Sequence, residues 1–202
     1  CAQIDNRKSH EIVRMGLRIL ANLTHRGAVG ADPLAGDGAG ILLQVPDAFL
    51  RAECAGLGFD LPPVGDYGVG MLFLPRSAAG RKACEELVAR YVEAEGQRLL
   101  GWRDVPTDGS GLSQSVRAVE PWVRQVFVGR SAATPAGDTF ERRLFVLRKQ
   151  IENAVRASDS ADRGRFYVPS LSSRTIVYKG MLLASQVAPY YPDLSDGRVV
   201  SA

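Results

Sequence analysis

Cysteine and histidine are scarce in this chain of 202 residues: three cysteines, Cys1, Cys54 and Cys84, and two histidines. An odd cysteine count without a C-x-x-C pair provides no disulfide framework, and two histidines cannot complete a usual zinc site with them. The reading that follows is a reducing, cytoplasmic setting, with Cys54 and Cys84 as small buried hydrophobes. Aromatic residues make up only 7% of the chain. The 25 basic and 22 acidic residues run along it without a block of one sign, for a net charge of +3. Such a pattern describes a solvated surface and excludes a nucleic-acid footprint. No apolar run approaches the roughly 20 residues of a membrane span, and the first residues lack the charged-then-apolar layout of a secretory signal. Neither a nucleic acid nor a membrane is therefore expected as a partner.

With 46% hydrophobic residues, the chain can bury one sizeable core, and residues 1–202 are read as a single domain. Ser9 stands where a helix cap would, before apolar positions Ile12, Met15, Ile19, Leu20 and Leu23 at three-four spacing. Val13 and Leu17 widen the stripe, which predicts a helix buried on more than one side and ending near residues 22–24. Residues 41–45 form a run, apolar but for Gln44, that Pro46 closes, as a buried strand would, and Asp47 opens a short helix through Cys54. Residues 67–74 predict a second strand, its glycines marking a bulge or a close neighbour. Ser77 caps a helix running to about Gly96 with Cys84, Leu87, Val88, Tyr91 and Val92 inward. Residues 99–105 and 123–128 predict further strands. Asp138 with Glu141 reads as a capping box for a helix whose inward face is Phe140, Leu144, Leu147, Ile151, Ala154 and Val155. Residues 166–171 and 175–178 then predict a pair of strands around Ser172-Ser173-Arg174. Strands in adjacent runs with helices between them indicate an α+β fold on an antiparallel or mixed sheet. The last residues, 198–202, begin another strand.

Two places carry the chemistry. Residues 24–43 join the first helix to the first strand through five glycines, Gly27, Gly30, Gly36, Gly38 and Gly40. Glycine loses the most freedom on folding, so this density fits a backbone that needs positive φ or passes close to something. Arg26, Asp32 and Asp37 supply the loop's charges. The aspartates read as turn residues bonding their own backbone, and His25 as a packed helix-end residue. A phosphate cradle is set aside, because Gly36–Gly40 lacks a Gly-Lys-Ser/Thr ending and leads into a strand. The other place is Cys1, a thiol beside a free α-amine whose pKa of about 8 makes it a base near neutral pH. A chain beginning at cysteine points to processing or to a boundary within a longer chain. Such a nucleophile needs only oxyanion donors and a group for the substrate's far end, and the guanidinium of Arg26 suits a carboxylate.

Cys1, Leu23-Thr24-His25-Arg26-Gly27-Ala28, Asp32 and Gly36-Asp37-Gly38-Ala39-Gly40-Ile41-Leu42 together resemble the amino-terminal amidotransferase domain of the glutamate synthase large subunit, a class II glutamine amidotransferase. The resemblance continues in order through Tyr67-Gly68-Val69-Gly70-Met71-Leu72-Phe73-Leu74, Gly101-Trp102-Arg103-Asp104-Val105-Pro106-Thr107, Phe140-Glu141-Arg142-Arg143-Leu144-Phe145, Phe166-Tyr167-Val168 with Ser170-Leu171-Ser172, and Ile176-Val177-Tyr178-Lys179-Gly180-Met181. It implies a four-layer αββα sandwich of the N-terminal nucleophile amidohydrolase type, truncated at its C-terminal end. It also implies hydrolysis of L-glutamine through a thioester on Cys1 and passage of ammonia to a synthase domain that aminates 2-oxoglutarate. On that pattern Cys1 is the nucleophile, and Arg26 and Gly27 shape the glutamine pocket. No cofactor or metal is implied within these residues. FMN and an iron-sulfur cluster belong to later parts of the full-length oxidoreductase, whose synthase and FMN-binding domains, with a small NADPH-oxidising subunit, are the implied partners. Two other readings share these residues: an inactive amidotransferase-like module, and an N-terminal nucleophile hydrolase acting on another amide.

The chain departs from the family in two places. Cys1 runs directly into Ala2-Gln3-Ile4-Asp5, where the family has a Cys-Gly-x-Gly type strand. The chain also stops before the family's His-x-Arg-Phe-Ser-Thr-Asn type strand and the Asn-Gly pair of its oxyanion hole. Losing one oxyanion donor typically costs ~10²–10³ in rate. The polypeptide of these 202 residues by itself is thus expected to hydrolyse glutamine poorly or not at all, which a glutaminase assay on that polypeptide checks.

Overall fold

One glycine in an apolar strand, Gly68, sets how closely a helix can approach the larger sheet. A computed structural model describes residues 2–23, 32, 34–159 and 162–202. By their internal contacts the residues fall into one unit of Leu50–Asp104 and Pro121–Ile176, and another of Cys1–Phe49, Val105–Glu120 and Val177–Ala202.

In the first unit, β2 (Tyr67–Leu74), β3 (Arg98–Asp104), β4 (Trp122–Gly129) and β5 (Tyr167–Ser172) form an antiparallel sheet in the order β3-β4-β2-β5. β2 and β4 pair along their whole length, from Tyr67 opposite Gly129 to Leu74 opposite Trp122. Period two therefore places Leu72 and Leu74 on one face with Val126 and Val128. Helices α3 (Ala78–Ala94) and α5 (Asp138–Ala157) bury Cys84, Val88 and Val92, and Phe140, Leu144, Leu147, Ile151 and Val155, against that face. A β-carbon on Gly68 would stand 2.5 Å from Leu144 Cδ1, and one on Gly70 2.7 Å from Val126 Cγ1. The strand's glycines are thus where neighbours come too close for any side chain, and the register against β5 also shifts between Met71 and Phe73. Ser77 caps α3 as expected, its Oγ accepting from the Gly80 amide at 3.2 Å.

The other face of this sheet carries a polar row, since Arg103 lies opposite Gln125, Gln125 opposite Met71, and Met71 opposite Ser170. Arg103 is only 3% exposed, and donates to Gln125 Oε1 at 3.1 Å and Glu53 Oε2 at 3.2 Å. A cation this deep is tolerable because it is paired, and removing a partner of such a charge typically costs about 3–5 kcal/mol. Cys54 and Cys84 are free and buried. Burial pushes their thiols up, to about 12 and about 11, so both behave as the small hydrophobes expected of them.

In the second unit, β1 (Ala39–Gln44) and β6 (Thr175–Gly180) form a two-stranded sheet, accompanied by α1 (His10–Asn22), α4 (Gln114–Val119) and α6 (Val187–Tyr190). Helix α2 (Asp47–Gly56) begins at the predicted Asp47. The α+β class with antiparallel sheets matches the expectation for an N-terminal nucleophile amidohydrolase fold.

Five expectations are corrected. α1 is not buried on more than one side: Ile12 and Val13 are buried, whereas Met15, Ile19 and Leu23 are exposed. Ser9 stands at the N-cap but its side chain makes no cap hydrogen bond; its backbone instead bridges Ser201, giving N–H to Ser201 O at 2.9 Å and taking Ser201 N–H at 3.2 Å. That bridge is what the apolar end at residues 198–202 builds. The run at 41–45 is not wholly buried, since Leu43 and Val45 are inside while Leu42 is 63% exposed. In a two-stranded sheet the period-two alternation decides burial, whatever the run's composition. Asp138 and Glu141 form no capping box. Gly137, at φ +74°, is the N-cap of α5, Asp138 pairs with Arg174, and the Glu141 carboxylate accepts from Ser172 Oγ, Ser173 N at 2.9 Å and Ser173 Oγ at 2.7 Å. Finally, β5 and β6 are consecutive but join different sheets. Glu141 holds the turn between them.

Leu144 is fully buried where α5 meets Gly68. Leu144→Ala is expected to cost about 2–5 kcal/mol, read in urea unfolding as a lower midpoint with an unchanged slope.

Candidate active site

The residues assigned a chemical role from sequence, Cys1, Arg26 and Gly27, lie outside the described residues, as does His25. Described residues lie on either side of 24–31. On one side, α1 ends at Leu23, whose amide bonds Ile19 O at 3.1 Å and Leu20 O at 3.2 Å. The other end of α1 is tied down by the Ser9–Ser201 bridge and by His10, whose Nδ1 donates to Val199 O at 2.8 Å.

On the other side stands Asp32. Its Oδ1 accepts from the Leu34 amide at 3.0 Å and its carbonyl from Ala35 N–H at 3.0 Å, the turn geometry expected of an aspartate here. Its Oδ2 also accepts from Ser115 Oγ at 2.7 Å, and Ser115 in turn bonds Ser113 Oγ at 2.9 Å. Ser113, Ser115 and the Leu34 amide hold the Asp32 carboxyl below its ordinary range. A carboxylate so satisfied is a poor base at neutral pH, and Asp32 serves as a tether. Asp37 is exposed in the turn that follows.

The glycines then do two different things. Gly38 takes φ +128°, a conformation that a residue with a side chain rarely adopts. Gly36 and Gly40 are points of contact. A β-carbon on Gly36 would lie 2.2 Å from Leu182 O and 2.6 Å from Leu183 N, and one on Gly40 2.6 Å from Tyr178 O. The segment leads into β1, and its close neighbours are Lys179 Cβ and the backbone of residues 178–183.

Sequence reasoning did not pick out Gln186, which sits at the junction. Its Oε1 accepts from Leu183 N at 2.8 Å, while Nε2 donates to Leu34 O at 3.2 Å and Gly111 O at 3.0 Å. Three stretches distant in sequence are joined by one amide. No local pattern marks such a residue. Ser113 did carry a signal, a serine before a short helix, and it caps α4 by accepting from Val116 N at 3.4 Å. Behind β6, Tyr178 donates to the buried carboxylate of Asp193 at 3.0 Å, Tyr191 donates to Lys179 O at 2.8 Å, and Tyr190 donates to Glu120 at 3.0 Å. The rings of Tyr178 and Tyr191 meet edge-on with centroids 5.2 Å apart. Burial raises the Tyr191 phenol well above its ordinary range, so it stays a neutral donor. Among the described residues no group of His, Cys, Asp and Glu could hold a metal ion, and no helix is long and apolar enough to cross a membrane.

Comparison with known proteins places these features in a family. The family described as glutamine amidotransferases class-II matches residues 1–202. The chain is 45% identical over 201 residues to the glutamate synthase [NADPH] large chain of Bacillus subtilis (strain 168), a likeness covering 100% of this chain and 13% of that protein. It is 38% identical over 201 residues to the glutamate synthase [NADPH] large chain of Azospirillum brasilense, covering 99% of this chain and 13% of that protein. To ferredoxin-dependent glutamate synthase 2, chloroplastic, of Arabidopsis thaliana it is 40% identical over 198 residues, 96% of this chain and 12% of that protein. The chain thus spans about an eighth of the length of these relatives.

Because the atoms that a β-carbon on Gly36 would strike are backbone atoms, Gly36→Ala is expected to destabilise the protein by about 1–3 kcal/mol. A fall in the thermal midpoint and in the urea midpoint reads this out. A variant as stable as the parent would mean that the contact with Leu182 and Leu183 yields freely.

Proposed function

Because this chain belongs to the class-II glutamine amidotransferases, we propose that residues 1–202 form the N-terminal portion of one such domain within a glutamate synthase large chain. Its reaction is hydrolysis of L-glutamine to glutamate and ammonia. The observation that carries this reading is a likeness to glutamate synthases that runs over essentially the whole chain, in a chain whose first residue is a cysteine.

In this reaction the α-amine of Cys1 takes the thiol proton and Sγ adds to the side-chain amide carbon of glutamine. The amide oxygen carries the negative charge of the adduct. The ammonium then returns the proton to the amide nitrogen, the C–N bond breaks, and ammonia leaves an acyl thioester on Sγ. Water, losing a proton to the same amine, adds to the thioester carbon. The C–S bond breaks, the thiol regains its proton and glutamate departs. No histidine is needed, because an amine with a pKa near ~8 serves as base and acid in turn. Arg26 pairs with the substrate carboxylate through its planar fork, and Gly27 lets the backbone approach beside it. Asp32, Gly36 and Gln186 hold the end of the loop that these two residues occupy.

The ammonia passes to a synthase domain of the same polypeptide, which aminates 2-oxoglutarate. FMN and the iron-sulfur cluster are held by other parts of that polypeptide, and the electrons come from a nicotinamide nucleotide, through a small NADPH-oxidising subunit, or from ferredoxin. The 202 residues carry no cofactor of their own. Free, buried Cys54 and Cys84 suit a reducing compartment such as the cytoplasm.

The test uses the full-length protein and the electrophilic glutamine analogue 6-diazo-5-oxo-norleucine. One covalent adduct on Cys1, lost in Cys1→Ser together with glutaminase turnover, is the expected result. An unlabelled Cys1 would mean an inactive module, and labelling only by other amides a different hydrolase.

A further inference from the structure

Helix α5 buries one face and presents a second that is unusual for a solvent-facing helix. With Phe140, Leu144, Leu147, Ile151 and Val155 inward, the residues Arg142, Phe145, Lys149 and Arg156 follow one another at spacings of three, four and seven along the opposite side. All four are exposed. The Phe145 ring is 57% exposed with Val146 bare beside it, and Lys149 Nζ stands 6.0 Å from the Phe145 ring centroid. Outward positions of such a helix ordinarily mix charges of both signs. Here the carboxylates of that side, Asp138 and Glu152, are already paired, with Arg174 and with Arg148 and Lys149.

Toward the C-terminal end of α5 the stripe runs into a groove of about 510 Å³, closed on its far side by Arg163, Gly164, Phe166 and Tyr167. Four cations line it, Arg148, Lys149, Arg156 and Arg163, against one carboxylate. That carboxylate, Glu152, is shared by Arg148 at 3.2 Å and Lys149 at 2.9 Å. Among the described residues neither Arg156 nor Arg163 is paired with a carboxylate, and Arg163 donates to Ser158 O at 3.3 Å. A cation in the last turn of a helix offsets the partial charge there, which accounts for one of these groups and leaves a surplus. Forked cations beside exposed aromatic rings are the composition of protein interfaces, where Arg, Tyr and Phe are enriched. The chain spans only 12–13% of the length of its relatives, so most of such a polypeptide lies outside these residues.

We propose that the outer face of α5 and the adjoining groove are the docking surface for an acidic, partly apolar segment of the same polypeptide, C-terminal to residue 202. This rests on the reading above that the chain is the first part of a glutamate synthase large chain. Carboxylates of the segment pair with Arg156 and Arg163, and its apolar side chains cover Phe145 and Tyr167. Desolvated in that way, the two guanidiniums gain partners that the described residues do not give them.

The experiment places a photocrosslinker in the full-length protein as Phe145→p-benzoyl-phenylalanine, an aromatic replacement at an exposed position, with mixed light and heavy isotope-labelled copies to separate links within a chain from links between chains. The expected result is an intrachain cross-link to an Asp- and Glu-rich peptide beyond residue 202. Its yield should fall roughly tenfold or more when Arg156→Glu and Arg163→Glu are combined, and survive Arg156→Lys with Arg163→Lys. An unchanged thermal midpoint in both double variants shows that folding is intact. Links only within residues 1–202, only between copies, only to a nucleic acid or another protein, or none at all would each overturn the proposal. Cys1 labelling, measured in parallel, separates the two readings: a labelled Cys1 without the cross-link leaves glutaminase standing and docking refuted, and the reverse does the opposite.

Discussion

Backbone meets backbone at Gly36 and Gly40 with no space for a β-carbon, and the smaller unit is organised about those contacts. They bring the stretch before β1 against residues 178–183. β1 and β6 then pair, and Gln186 reaches Leu34 and Gly111 at once. Asp32 adds a second tie through Ser115. Glycine is required because the approach is between main chains, and any side chain would hold them apart by more than a hydrogen bond can bridge.

The larger unit shows the same economy at Gly68, where Leu144 of α5 occupies the space above β2. Two of the polar groups in this unit show how such groups are held. Arg103 has Gln125 and Glu53, and Glu141 has the two serines of the β5–β6 turn. Buried groups of this kind add little net stability, but a misplaced strand would leave them unpaired, which penalises wrong registers.

Much of this is legible in the residues themselves. The strands at 67–74 and 123–128 and the helices beginning near Asp47 and after Ser77 announce themselves by periodicity and by cap or breaker residues, which are local. Gly36, Gly38 and Gly40 are the close approaches and the positive φ that their density implies, because a chain loses so much freedom in ordering a glycine that few uses justify several in one loop. Sequence and structure part where a local signal competes with a distant partner. Ser9 has the chemistry of a cap, yet its backbone serves Ser201 at the far end of the chain. Asp138 and Glu141 have the spacing of a capping box, yet each finds a stronger partner near the β5–β6 turn, Arg174 for one and Ser172 and Ser173 for the other. Gln186 is invisible in sequence, since an amide that joins three segments has no signature in any one of them.

Composition and short-range order were enough to dictate the α+β class and the inward faces of α3 and α5, because each depends on residue type and near-neighbour spacing, and the motifs carried the resemblance to a family of amidotransferases. Which strands share a sheet, why Leu42 faces out while Leu43 faces in, and which side chains anchor the glycine loop were settled by folding. Those outcomes depend on partners far apart along the chain, and a pairing energy between two residues cannot be read until both have been brought within reach.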